Sequence, residues 1–227
     1  MGRPQKKSDR DKPWMQRSQK RRVGNRQPRV RILLVCEDTK SSVYYFKRIQ
    51  ELLPSGVVFL CPRGTGRNTQ SLINDVENVR QREERVIGAR FDQVWVLFDK
   101  DSFSDAQFDN AIRSGEAKGY RVAWSNECFE LWYLLHFQEQ SSSVGREKIY
   151  GGLEVHLGVN HYEKLKGEAG KSIHQRMAED AAGRKHAIKR AKRLDEEAQG
   201  AFHARNPSTR VYLLLEKLDS WIMASYG

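Results

Sequence analysis

The chain has 227 residues, 38% of them hydrophobic, and a formal net charge of +11. That length supports one good-sized core, or one domain with an appendage. No apolar run approaches the roughly 20 residues that span a bilayer and no signal-peptide core is present, so the expectation is a cytoplasmic protein without a membrane segment.

The charge is unevenly placed. Residues 1–31 hold twelve Lys or Arg and two Asp, a balance of +10, whereas the remainder holds 28 bases and 27 acids, a balance of +1. The arm over 1–29 has almost no apolar periodicity, so burial cannot offset the entropy of ordering it, and it is expected to be disordered alone. Its arginines, Arg21, Arg22 and Arg29 among them, and the interleaved Trp14 suit contact with a nucleic acid. A solubilising tail is the alternative.

The folded part starts near Val30. An apolar strand runs to Cys36 and ends in an acid, Glu37. The polar turn Asp38-Thr-Lys-Ser-Ser42 leads into a helix over about 41–53, which Pro54 and Gly56 stop. A second strand covers 57–61. The loop Pro62-Arg-Gly-Thr-Gly-Arg-Asn-Thr69 then opens a helix at about 70–86, with Asn68 or Thr69 as its N-cap. Backbone N–H groups of such a loop can hold an anion, with Arg63, Arg67 and Asn68 at a substrate phosphate. An ordinary strand-to-helix turn reads equally well, because the third Gly of a dinucleotide fingerprint and the Gly-Lys-Ser/Thr of a P-loop are missing.

Strand three is 93–98, the run Val94-Trp-Val-Leu-Phe98 followed by Asp99-Lys-Asp101. Alternate residues of an extended chain point the same way, so Asp99 and Asp101 can aim at one point past the strand's carboxyl end. Two hard oxygen ligands there suit Mg2+ or Mn2+; a plain polar loop is the other reading. A helix at about 104–118 and a fourth strand, 120–124, follow. Strands alternating with helices predict an α/β fold with a parallel sheet of about four strands and right-handed crossovers. Ser125 or Asn126 caps an apolar helix reaching Phe137, in which Glu130 lies among Phe129, Leu131 and Trp132. A carboxylate buried there needs a partner or a metal. Residues 138–227 read as a helical C-terminal region that packs on the 30–137 core: a Ser-rich linker, several short polar helices, and a last helix over about 208–223. The piece at 174–199 carries Lys185, Lys189, Arg190, Lys192 and Arg193, either a nucleic-acid face or simply a solvated one. Cys36, Cys61 and Cys128 have no zinc-type spacing and read as reduced packing residues.

A Glu after one strand and Asp-x-Asp after a later one resembles the Toprim fold of topoisomerases, primases and some nucleases. There the Glu acts as acid or base or as a metal ligand, and the paired Asp residues hold Mg2+. More closely, the chain resembles the RloB family. The motifs that carry this are Val-Cys-Glu37 with Tyr44-Tyr-Phe46, Gly64-x-Gly66-x-Asn-Thr69, Phe98-Asp-Lys-Asp101, Ser125-Asn-x-Cys-Phe-Glu-Leu-Trp132 with Leu-Leu-His-Phe137, and Asn206-Pro-Ser-Thr209. The resemblance covers about 30–223. It implies a Toprim-like phage-defence nuclease or nuclease-like effector of bacteria or archaea, of a kind often encoded beside an ATPase of the ATP-binding-cassette/AAA type. It points to Glu37, Asp99, Asp101 and Glu130 as metal-binding and catalytic residues, with Asn126, His136 and Asn206 in support. Two positions depart from the common pattern: Asp38 stands where many relatives have Gly, and Glu127 where many have Pro. The expected activity is metal-dependent cleavage of DNA or RNA. A non-catalytic nucleic-acid sensor in an ATPase complex is the rival, and nucleotidyl transfer uses the same acids.

Overall fold

The computed structural model describes residues 30–101 and 103–224. Four parallel strands form its centre: β1 (Val30–Cys36), β2 (Val58–Gly64), β3 (Gln93–Asp99) and β4 (Arg121–Asn126). A two-residue strand, β5 (Ser208–Thr209), joins β4 antiparallel, and the order across the sheet is β2-β1-β3-β4-β5. The helices are α1 (Ser41–Leu52), α2 (Thr69–Ile87), α3 (Asp105–Ala117), α4 (Glu130–Phe137), α5 (Arg146–Leu157), α6 (Lys171–Glu179), α7 (Ala181–Glu197) and α8 (Val211–Met223).

Both faces of the sheet are covered, which is why its strands read as unbroken apolar runs rather than alternations. Ile32, Leu34 and Cys36 of β1 pack with α1, α4 and α8. Leu33 and Val35 point the other way and pack with α2 and α3. Leu33, Leu34 and Val35 are fully buried, and each such side chain stabilises the fold by roughly 1.5–3 kcal/mol.

The α/β sheet agrees with expectation, but Ser125 and Asn126 end β4 instead of capping a helix, since α4 begins at Glu130, and the piece at 174–199 is split into α6 and α7 at Asp180. Two further differences concern the strands. Strand β2 runs through Pro62 and Arg63 to Gly64, residues that the sequence places in a loop. An edge strand tolerates Pro because its missing N–H faces no neighbour. Gly64 is needed there, since a Cβ would stand 2.5 Å from the Asp38 carbonyl oxygen. The second difference is β5. The sequence reads Ser208 and Thr209 as a turn and the start of the last helix, but Thr209 pairs with Ser125 and α8 begins at Val211. The C-terminal region is thus helical and packed on the core as expected, and it also supplies an edge strand to the sheet.

Cys36, Cys61 and Cys128 are buried and unpaired. No helix among the described residues is long and apolar enough to cross a membrane. The basic arm, with Arg21, Arg22 and Arg29, lies outside the described residues.

Candidate active site

The chain winds from β1 outward to β2, then crosses back over β1 to β3. The direction of winding reverses between β1 and β3, and in such sheets the crevice past those carboxyl ends is where ligands bind. Glu37 follows β1 and Asp99 ends β3, so the two acids flank that crevice. The contact is direct: Glu37 N–H donates to the Leu97 carbonyl (2.8 Å), and Glu37 Oε2 accepts the Asp99 N–H (3.1 Å).

Asp101 reaches the same place by a different route from the one expected. The strand stops at Asp99, and Asp101 sits in a turn at φ +41° rather than in extended chain. Its N–H donates to the Glu127 carbonyl at 3.2 Å. The turn is tied further by Lys100 Nζ, which donates to the Phe103 carbonyl and lies 3.2 Å from Asp105. Lys100 therefore serves the turn and does not line the crevice.

Glu37, Asp38, Asp99 and Asp101 line a cavity of about 160 Å³ together with Ser42, Phe129, Arg146 and Lys166. Asp38 accepts hydrogen bonds from the Ser42 hydroxyl and from the Ser42 N–H. Glu130 lies behind this lining, 1% exposed. Its Oε1 accepts from Ser41 Oγ (2.8 Å) and stands 3.4 Å from Lys166 Nζ, while its Oε2 has no partner. Burial, followed by the charges of Asp101 and Asp38, pushes the Glu37 carboxyl up to about 7. Burial and then the neighbouring Glu130, Glu37 and Asp38 charges hold Asp99 well above the usual carboxylate range. The site is a concentration of negative charge with too little to balance it.

Two basic residues of the C-terminal region complete the cavity, and the sequence singles out neither. Arg146, the first residue of α5, stands 2.7 Å from Asp101 Oδ1. Lys166 lies in the segment before α6, bonded to the Tyr150 hydroxyl (3.0 Å) as well as close to Glu130. No local pattern marks them; they are two bases in a polar stretch, and only the fold brings them to the acids.

The family model described as RloB-like protein matches residues 32–218, most of the chain. The chain belongs to the RloB-like family. No curated protein and no solved structure matches it.

In this RloB-like protein the three supporting residues lie outside the cavity lining. Asn126 donates from Nδ2 to the His203 carbonyl (2.8 Å). Asn206 bonds both the N–H (3.0 Å) and the carbonyl (3.1 Å) of Val144, pinning the linker. His136 is buried edge-on to Trp132, with Nδ1 3.5 Å from Asp180, and burial lowers its pKa. Each serves packing or chain path. The phosphate loop is similarly committed: Arg63 pairs with Glu83 (2.7 Å), Arg67 with Asp75 (2.9 Å), and Asn68 caps α2 by accepting the Ser71 N–H (3.1 Å). Of the two departures from the family pattern, Asp38 joins the cavity and Glu127 does not. On α7, Arg190 donates to the Leu135 and His136 carbonyls and Arg193 pairs with Glu139, while Lys185, Lys189 and Lys192 are exposed.

The donor chemistry fits a hard divalent cation. The cavity offers carboxylate oxygens of the type that Mg2+ and Mn2+ take, and Glu130 Oε2 is a buried acceptor without a partner. Among the described residues no three His, Cys, Asp or Glu side chains are already gathered around a point. Asp101 is drawn to Arg146, and Glu130 to Lys166 and Ser41.

Proposed function

We propose that this protein is a metal-dependent nuclease that hydrolyses phosphodiester bonds of DNA or RNA. The observation that carries it is the meeting of Glu37, Asp38, Asp99 and Asp101 in one cavity at the reversal point of the sheet. Asp99 and Asp101 are the residues to hold Mg2+ or Mn2+, with Glu37 as a shared ligand or general base and Glu130 behind them. A divalent ion there would lower the pKa of a water and steady charge on the phosphoryl oxygens. Glu37, which lines the cavity beside the Asp99 N–H, would take the proton from the attacking water. In the balanced step the water oxygen bonds to phosphorus, the ester P–O bond breaks, Glu37 takes the water's proton, and the leaving oxygen is protonated from solvent. The basic arm and Lys166 would attract the phosphate backbone. An ATPase partner of the ATP-binding-cassette/AAA type and a role in prokaryotic anti-phage defence follow from the family resemblance and belong to the same proposal.

One observation favours a second reading. Arg146 and Lys166 neutralise Asp101 and Glu130 from within, as they would in a non-catalytic nucleic-acid-binding subunit of a defence ATPase complex. The deciding experiment incubates supercoiled plasmid, single-stranded DNA and tRNA with the full chain in Mg2+, Mn2+ or EDTA, with and without the neighbouring ATPase and ATP. Cleavage that EDTA and Asp99→Ala both abolish is expected. Nucleic-acid binding without cleavage under every condition would establish the second reading.

A further inference from the structure

We infer that the site takes one divalent ion, and that Lys166, supported by Arg146, supplies the positive charge that a second ion would otherwise bring. The inference rests on the metal-dependent reading above and specifies its charge arrangement.

Five carboxylates belong to the site, but they are not equally available. Glu130 is 1% exposed, and its Oε1 is already shared by Ser41 Oγ and Lys166 Nζ at 2.8 and 3.4 Å. Asp101 is engaged by Arg146 at 2.7 Å. Glu37, Asp38 and Asp99 remain without a cation at contact distance among the described residues. With all five ionised and both bases charged the balance is −3, which one divalent ion brings to −1 and two would carry to +1. A second ion would have to stand about 3.5–4 Å from the first, within reach of shared carboxylates. Where Glu130 would serve it, Lys166 Nζ is already in place.

Lys166 is also held as a fixed charge rather than a roaming one. Its ammonium bonds the Tyr150 hydroxyl at 3.0 Å and lies 5.5 Å from the centre of the Tyr150 ring. Those two contacts and the Glu130 carboxylate fix it against the cavity wall, only a quarter exposed. One of its donors is bonded to the Tyr150 hydroxyl, and the Glu130 carboxylate lies at 3.4 Å as an ion pair. Because Lys166 lines the cavity, its ammonium is placed to meet a non-bridging phosphoryl oxygen. Charge fixed in advance at a water-poor site needs no reorganisation when negative charge develops.

The test is a Mn2+ titration of the full chain by calorimetry and by the electron paramagnetic resonance signal of free Mn2+, followed by cleavage assays. One Mn2+ per chain is expected for the parent. Lys166→Met should raise the stoichiometry towards two, by freeing Glu130, and, at Mn2+ concentrations that fill only the first site, lower cleavage about 100-fold or more. Lys166→Arg should keep one ion and recover part of the activity. Two ions in the parent would overturn this inference and leave the nuclease reading standing, and so would full cleavage by a folded Lys166→Met that still holds one ion. No bound Mn2+ at all would remove the metal-dependent reading and this inference together. If Lys166→Met fails to fold, the parent stoichiometry decides alone.

Discussion

Asp195 and Asp99 are both carboxylates in partly buried polar pockets of one fold, with opposite charge balance around them. Asp195 on α7 is met by Arg210 Nε at 3.1 and 3.2 Å, by Arg205 at 3.6 Å and by the Tyr212 hydroxyl at 3.0 Å. Arg210 in turn lies over the rings of Trp124 and Phe202. One acid thus has two arginines and a phenol. Asp99 sits among Glu37, Asp38, Asp101 and Glu130, with Arg146 and Lys166 as the only bases lining the cavity among the described residues. The first arrangement fastens α7 to the segment between β5 and α8. The second leaves negative charge uncancelled, at a cost in stability that packing elsewhere must offset. A satisfied cluster fastens the chain here, and the unsatisfied one is the site to which the proposed function is assigned.

Stability measurements can break that contrast. The largest change should come from Asp195→Ala, which strips charge-assisted hydrogen bonds worth about 2–3 kcal/mol in total and should lower the melting temperature by about 4–12 °C. Mn2+ affinity should stay as it was; a parallel loss of ion binding would mean that the two clusters are not separate. Next in size, Asp99→Asn should stabilise the metal-free protein by about 0.5–2 kcal/mol, because it removes repulsion from a crowded site, while ion binding falls by more than about 100-fold, since even outer-shell changes cost about 10–100-fold. A lower melting temperature in EDTA would show that Asp99 holds the fold rather than burdens it. A third test is the pH dependence. Glu37 titrates near 4.5 when unfolded and near 7 in the fold. Between those values the folded state keeps a proton that the unfolded state has lost, so its stability falls as pH rises through that window. Urea midpoints in EDTA should therefore be lower above that window than below it, and saturating Mn2+ should narrow the gap. A midpoint that climbs with pH would contradict the crowded-carboxylate account.

The sequence is legible where chemistry is local. Strands that stop at Glu37 and Asp99 mark the sheet edge, because a fully buried apolar run closes on an ionisable group only where the chain leaves the core. Asp101 belongs to the cavity as the sequence suggests, but through a different geometry: strand alternation would aim it there, whereas a turn held by Glu127 and Lys100 does so in fact. Asn126, His136 and Asn206 look like site residues because they share motifs with the acids, yet their side chains hold neighbouring segments together. Arg63 and Arg67 look free because a sequence does not show that Glu83 and Asp75 of α2 face them. Arg146 and Lys166 are invisible for the same reason in reverse. Their partners lie 45 and 36 positions earlier in the chain, and nothing in composition or period predicts such pairings. Strand β5 is too short for any periodicity to register.

The late position of β5 has a consequence for the order in which the molecule is made. When residue 137 has left the ribosome, every carboxylate of the cavity has been synthesised, but neither of its cations has. The outer strand that closes on Ser125 is still some seventy residues away. A nascent or prematurely terminated chain therefore carries the acids without the finished cavity, and the sheet is sealed only when Thr209 emerges. For a nucleic-acid-cutting protein of the kind proposed, Arg146 and Lys166 can meet the acids only after all the acids have been made.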